Sequence, residues 1–346
     1  MSKRIYTFLQ YFIFIGLGAF LIWWQLYSMT DEQTKEFKNA LYQANYLLII
    51  PVVIISILSH LSRAARWKIL MQPLGYVPKL TNVFAVTMVG YLANSFVPRV
   101  GEVIKCSLLA KYEGLKTDKL IGTIIIERTF DLISYGIFLL ITVLIQVTTV
   151  GAYVSNKLTT ISQQNNTRFW LKLIVVISLI VAIIYLIKWL IKKYPNSYLL
   201  TKIKGFTNGV LQGLATIKKL ERKAAFIGHT LFIWTMYLLQ IYIGFKAMEA
   251  TAHLGITAAC AVLSLSTLAM IATPGGMGSF PLFVMETLVI YGVVPAEGFA
   301  FGWLIWGVST LNIILVGFIS LLILLNTKIT VHENNTSDTE QDIPAK

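Results

Sequence analysis

Apolar runs of about twenty residues recur along this chain, and they decide its class before any motif is read. In a helix, about twenty apolar residues cover the hydrocarbon thickness of a bilayer. Runs at 8–28, 44–62, 121–148, 169–190, 225–247 and 298–326 predict about six spanning helices. The runs are continuous rather than alternating, which argues against a membrane β-barrel. Composition agrees, since 56% of the 346 residues are hydrophobic and 13% are charged, whereas soluble domains carry about 25% charged residues. The fold class is therefore an all-α polytopic membrane protein.

The formal net charge is +13, with Lys and Arg gathered in short segments between the apolar runs. That is the pattern of cytosolic loops, so no nucleic-acid partner is expected. Arg63, Arg66 and Lys68 read as the cytosolic end of the second span, and Pro51 as a kink within it. Residues 29–43 read as a polar loop and 149–168 as an external one. In 198–223, Ile203, Phe206, Val210, Leu214 and Ile217 recur at helical spacing among Lys202, Lys204, Lys218, Lys219, Arg222 and Lys223. This predicts an amphipathic helix on the cytosolic surface. The tail 327–346 is polar and expected to be disordered. The first run is long and ends in Trp23, Trp24 and Tyr27, so it reads as an uncleaved helix. Both termini are placed in the cytosol of a bacterial cell, with the chain in its cytoplasmic membrane.

Two segments break this pattern. Asn94–Lys105 reads NSFVPRVGEVIK: an apolar helix stops at Pro98–Arg99 and restarts at Gly101, with Glu102 and Lys105 close behind. Lysines lie before residue 80 and after residue 112, so 80–112 is predicted to be a re-entrant hairpin entering from the cytosol. Thr273–Gly278 reads TPGGMG and carries no charge. No Lys or Arg bounds 257–292, so that hairpin is predicted to enter from outside. Two oppositely oriented broken elements mark an inverted-repeat transporter. Residues 1–326 then form one transmembrane domain, with halves 1–197 and 224–326 joined by the surface helix.

Irregular backbone survives in a membrane only where it lines protein or water. Pro98 with Gly101, and Pro274 with Gly275, Gly276 and Gly278, therefore predict a cavity near mid-membrane. The helices restarting at Gly101 and near Gly278 would aim free N–H groups into it, a setting for an anion such as phosphate. Arg99 would add a fork of donors. At the start of the next span lie Glu127, Arg128 and Asp131; Glu127 and Asp131 share a face, and Arg128 points elsewhere. Arg99, Lys105 and Arg128 balance Glu102, Glu127 and Asp131. The cluster reads either as a ligand site or as a self-neutralising network pinning the hairpin to the next helix. The two cysteines, Cys106 and Cys260, and the four scattered histidines form no disulfide, metal or nucleophile pattern. No catalytic residue, metal or cofactor is expected. The aromatics Trp234, Tyr237, Tyr242, Trp303 and Trp306 read as packing or interface anchors.

The order Pro-Arg-x-Gly-Glu-x-x-Lys, then Glu-Arg-x-x-Asp, then Pro-Gly-Gly-x-Gly resembles the flippase-like membrane domain of lysylphosphatidylglycerol synthases, over about residues 8–326. The resemblance implies a lipid translocase fold with two re-entrant hairpins. It carries over Pro98, Arg99, Gly101, Glu102, Glu127, Arg128, Asp131, Pro274, Gly275, Gly276 and Gly278 as site residues. Many relatives place a Glu just after the second glycine motif. Here Ser279, Phe280 and Pro281 stand there, and Glu286 is the nearest acid. The full synthases add a cytosolic aminoacyl-transfer domain, so this chain, ending about 20 residues past its last span, is not expected to aminoacylate lipid itself.

The function expected is translocation of an anionic phospholipid or a polyprenyl-phosphate-linked lipid across the cytoplasmic membrane. Two alternatives stand beside it. One is an integral-membrane glycosyltransferase or other lipid-modifying enzyme; the other is a membrane partner that docks a separate lipid synthase. Membrane lipid is the expected partner, and a second copy of the chain or a separate synthase is left open.

Overall fold

The computed structural model describes residues 16, 18, 20–25, 27–97, 100–163 and 220–327, by backbone alone at 147–163, 271, 272 and 274. Among these residues the fold is wholly helical. The expected spans 8–28 and 169–190, the surface helix 198–223 and the tail 327–346 fall wholly or largely outside them. Pro98 and Arg99 fall outside them as well.

The first complete helix, α1 (Asp31–Tyr42), replaces the expected polar loop. Thr30 accepts from the Gln33 amide while the Gln33 side chain accepts from the Thr30 amide. This capping box satisfies donors that a helix start otherwise leaves open. The next helix, α2 (Ile49–Met71), also departs from expectation, because it runs well past residue 62. Pro51 lies in its first turn, where no N–H is needed for the ladder, and so starts the helix rather than kinking it. The chain turns only at Gln72–Leu74, with Gly75 at φ 77°.

A pair of shorter helices follows, α3 (Leu80–Phe96) and α4 (Val100–Glu113), on either side of the expected break. The long helix α5 (Thr117–Gln163) continues through most of the expected external loop, with no proline to stop it. After the gap come α6 (Lys223–Phe245), a single turn at Glu249–Ala252, α7 (Ile256–Ala272), α8 (Ser279–Val289) and α9 (Pro295–Leu325).

Among the described residues four helical segments are long and apolar enough to cross a membrane: Tyr46–Leu74, Thr117–Gln146, Lys223–Phe245 and Pro295–Leu325. Their outer faces stay apolar. On α5 these faces include Ile125, Leu140 and Leu144, and on α9 Leu315, Phe318 and Ile323, all at least half exposed. Surface this greasy fits lipid rather than water.

The helices pack around α2, which lies against α6, α3 and α9. Two apolar clusters form at its opposite ends. One gathers Ile49 with Phe245, Leu288, Phe301 and Ile305. The other gathers Trp67, Leu70 and Met71 with Val86, Leu109, Leu120 and Phe226. Between them α2 carries Ser56, Ser59, His60, Arg63 and Arg66, all facing inward. Ser56 accepts from Asn312 of α9 at 3.0 Å. A polar layer thus separates the two apolar ends of the body.

The α3–α4 pair is held by a backbone contact. Gly101 lies inside α4 without a positive φ, so what it supplies is room rather than a turn angle. A Cβ there would stand 1.9 Å from the Gly90 carbonyl oxygen. Gly101→Ala should therefore destabilise the protein by about 1–3 kcal/mol through overpacking. Gly122→Ala, where a Cβ meets nothing within 4 Å, should be neutral or mildly stabilising. Thermal unfolding of the two variants in detergent checks the contrast.

Candidate functional site

Arg63 and Arg66 lie three apart on α2 and so share a face. Because α2 continues to Met71, that face is turned into the body instead of toward a loop. Glu127 and Asp131, four apart on α5, meet it. Asp131 takes both arginines: Arg63 Nη2 at 2.9 Å from Oδ2 and Arg66 Nη2 at 2.5 Å from Oδ1. Arg66 Nη2 also lies 3.5 Å from Glu127 Oε1, and Lys105 Nζ on α4 lies 3.1 Å from Glu127 Oε2. Arg66 is fully buried, and Lys105 and Glu127 are 3% and 2% exposed.

Neutral groups complete the cluster. Arg63 donates to the Tyr91 hydroxyl at 3.2 Å, and Arg66 to Thr230 at 3.3 Å. The Lys105 ammonium sits 4.3 Å from the centre of the Trp67 ring, a cation–π contact strengthened by desolvation. Trp67 in turn donates its indole N–H to Thr123 at 2.8 Å. Ser62 and His229 Nδ1 hydrogen-bond at 2.8 Å between α2 and α6. Helices α2 through α6 therefore all contribute. Farther out, Arg128 pairs with Glu102 at 2.6 Å, with side chains 46% and 24% exposed.

The structure thus brings Glu102, Lys105, Glu127 and Arg128 into ion pairs that join α4 to α5, and Asp131 into ion pairs that join α5 to α2. It changes the charge count. The sequence tally of three against three omitted Arg63 and Arg66, read as a span's cytosolic end. Among the described residues four cations, Arg63, Arg66, Lys105 and Arg128, face three carboxylates. Tyr91 and Thr230 carry no signal in the sequence pattern, and Trp67, which beside Arg66 and Lys68 reads as an interface residue, is buried instead. The readable signal was the stop at Pro73–Gly75, which places both arginines well inside the helix.

The breaks differ from expectation as well. The Gly101 N–H is not free, since it donates to Asn94 Oδ1 at 2.8 Å, while Asn94 Nδ2 reaches Glu102 Oε2 at 3.4 Å. The second break turns on Gly275, Gly276 and Gly278 at φ 61°, 73° and 73°, angles that glycine adopts without strain. Side chains from three directions take its polar groups. Thr273 Oγ1 donates to the Met277 carbonyl, Trp306 Nε1 to that of Gly275 and Gln25 Nε2 to that of Gly278. Trp306 is therefore a cap for the break, not only an anchor. The turn at 274–276 packs against α3 and bears no charged residue. A pocket of about 350 Å³ opens between α1, the Glu249–Ala252 turn and the start of α9, and no break residue lines it.

An ion-paired core inside lipid-facing helices defines a multi-pass membrane protein with charged groups held in its interior. The sequence matches the family described as the lysylphosphatidylglycerol synthase TM region over residues 10–317, and the chain belongs to that family. Among curated proteins it is similar to the UPF0104 membrane protein MJ1595 of Methanocaldococcus jannaschii. The two are 23% identical over 313 residues, covering 83% of this chain and 87% of that protein. No solved structure matches the chain.

Removing one partner of a buried ion pair leaves the other uncompensated. Lys105→Met leaves Glu127 with Arg66 alone at 3.5 Å and should lower stability by about 1.5–3 kcal/mol, and adding Glu127→Leu should restore much of it, because Arg66 keeps Asp131. Arg128→Met, at the exposed pair, should cost at most about 1 kcal/mol. Unfolding midpoints of the three variants in one detergent check the order.

Proposed function

We propose that this protein is a lipid translocase of the cytoplasmic membrane, moving a lipid whose headgroup carries phosphate between leaflets. The observation that carries the reading is the buried cationic surplus beside a broken helix pair, inside a body whose outer faces are apolar. Charge held within a membrane is costly and serves function by default. A phosphate-bearing headgroup matches cations that their own carboxylates do not cancel. Arg99, which falls between α3 and α4 in the sequence, would add a further fork. Family membership supports a lipid-related membrane role.

The element order supports an inverted repeat. A long helix, a short pair and a long helix occur twice, as α2, α3–α4, α5 and as α6, α7–α8, α9. With the chain's positive charge on the cytosolic side, the first pair would be a hairpin entering from the cytosol and the second one entering from outside. Both termini would then be cytosolic. Val77→Cys and Val294→Cys, at residues 73% and 44% exposed, test this in a background lacking Cys106 and Cys260. A membrane-impermeant maleimide should label Val294→Cys in intact cells and Val77→Cys only in inverted vesicles. Labelling of both from one side removes the inverted repeat.

Translocation itself is tested in vesicles that hold the purified protein and a trace of fluorescently tagged phosphatidylglycerol. The expected result is that a membrane-impermeant reductant quenches nearly all the tag, against about half in protein-free vesicles. Quenching equal in the two preparations sinks the reading. A lipid-modifying enzyme would instead change the lipid's chemistry, so lipid extracted from the same vesicles is analysed. A new lipid species there replaces the translocase by an enzyme.

A further inference from the structure

We propose that Arg63, His60 and Tyr91 form the subsite that takes the phosphate oxygens of the ligand, with Asp131 as the built-in competitor that the ligand displaces. This rests on the reading above that the ligand bears phosphate, and it assigns the contact to α2 rather than to the helix break.

The first ground is charge. Pairing the described groups one to one by their shortest contacts joins Arg128 to Glu102 at 2.6 Å, Arg66 to Asp131 at 2.5 Å and Lys105 to Glu127 at 3.1 Å. Arg63 is the cation left over, sharing Asp131 with Arg66. Among the described residues no other carboxylate lies within ion-pair distance of Arg63. Outside the tail 328–346, the segments not described contain no Asp or Glu. A charge so placed calls for an anion from elsewhere.

The second ground is independent of the tally. Arg63 Nε and His60 Nδ1 are both buried and make no hydrogen bond among the described residues. His60 is 9% exposed. The two residues are three apart on α2 and so stand on one face. Buried polar groups in folded proteins are almost always partnered, so two orphans on one face point to something that binds there. Tyr91 closes the site: its ring lies 5.2 Å from that of His60, and its hydroxyl accepts from Arg63 at 3.2 Å. That hydroxyl keeps its own proton to donate. The Arg63 Nε–H, the Tyr91 O–H and, in the tautomer that carries its proton on Nδ1, His60 together offer three donors, which suits an oxyanion with several acceptors.

The third ground is what happens to Asp131. Arg66 holds Asp131 Oδ1 from a fully buried position, so Arg63 can turn from Oδ2 to an incoming phosphate without leaving the carboxylate unpaired. Ligand and Asp131 then compete for one guanidinium. A purely structural ion pair has no such competition.

The test is calorimetric titration of the full chain in uncharged detergent with two probes, inorganic phosphate and dihexanoyl phosphatidylglycerol below its micelle concentration. Dihexanoylglycerol is the phosphate-free control. Arg63→Gln should weaken binding by about tenfold or more, as for loss of a charged hydrogen bond. Asp131→Asn should strengthen it, because the competitor's charge is gone. Arg63→Lys, which keeps the charge and loses the fork, should fall between wild type and Arg63→Gln. Binding of the phospholipid alone assigns the site to a lipid headgroup, and binding of both probes assigns it to the phosphate group whatever bears it. Wild-type affinity in both Arg63→Gln and Asp131→Asn overturns the subsite while leaving translocation standing. Should Arg63→Gln fail to fold, Asp131→Asn decides: no gain in affinity overturns the proposal. If wild type neither binds a probe nor moves lipid, the phosphate reading fails first and the subsite with it.

Discussion

Asp131 sits between two arginines of one helix, its Oδ2 2.9 Å from Arg63 and its Oδ1 2.5 Å from Arg66. Most of the remaining architecture follows from that pairing. Charges deep in an apolar body are tolerated only when opposite charges and hydrogen bonds meet them. To supply those partners, α2 must extend past Arg66 and α5 must present Glu127 and Asp131 on one face. Lys105 brings α4 into the same cluster, and Thr230 brings α6. The two apolar clusters at the ends of α2 then pack on either side of a polar layer whose position the charges dictate.

The backbone breaks answer the same constraint by other means. A helix end inside an apolar body leaves N–H and C=O groups that lipid cannot satisfy. At the first break a side chain from the preceding helix takes the Gly101 amide. At the second, Thr273, Trp306 and Gln25 donate to three carbonyls from three separate directions. Ser279 adds a bridge from the start of α8 back to the Ala269 carbonyl of α7 at 2.8 Å. The Gly101 amide beside the charged break is thus satisfied within its own helix pair. The uncharged one depends on distant parts of the chain.

Much of this was legible in the sequence. The class followed from run length, and the two short pairs were placed to within a few residues by their Pro and Gly breaks. Glu127 and Asp131 were placed on one face by their spacing alone. What escaped was tertiary. Arg63 and Arg66 look like loop-flanking charges, because a positively charged span end and an inward-facing arginine pair have the same composition. Only the helix stop at Gly75, ten or so residues on, separates the two readings. Gly101 reads in the sequence as the restart of a broken helix, but its reason is the carbonyl of Gly90, which no local pattern reveals. The α1 segment reads as a polar loop by composition, although Thr30-x-x-Gln33 carries the signature of a helix start.

Arg66 and Asp131 are separated by 65 residues of chain. As the polypeptide leaves the ribosome, α2 is therefore complete, and competing for the bilayer, before its counter-ions have been made. Until α5 emerges, its two arginines have only water and headgroups to answer them, which favours holding that end of α2 at the bilayer surface. The arrival of Glu127 and Asp131 would then draw α2 to its final depth. On this view the ion pairs that hold the mature helices together also set the order in which they settle, with α2 waiting on α5.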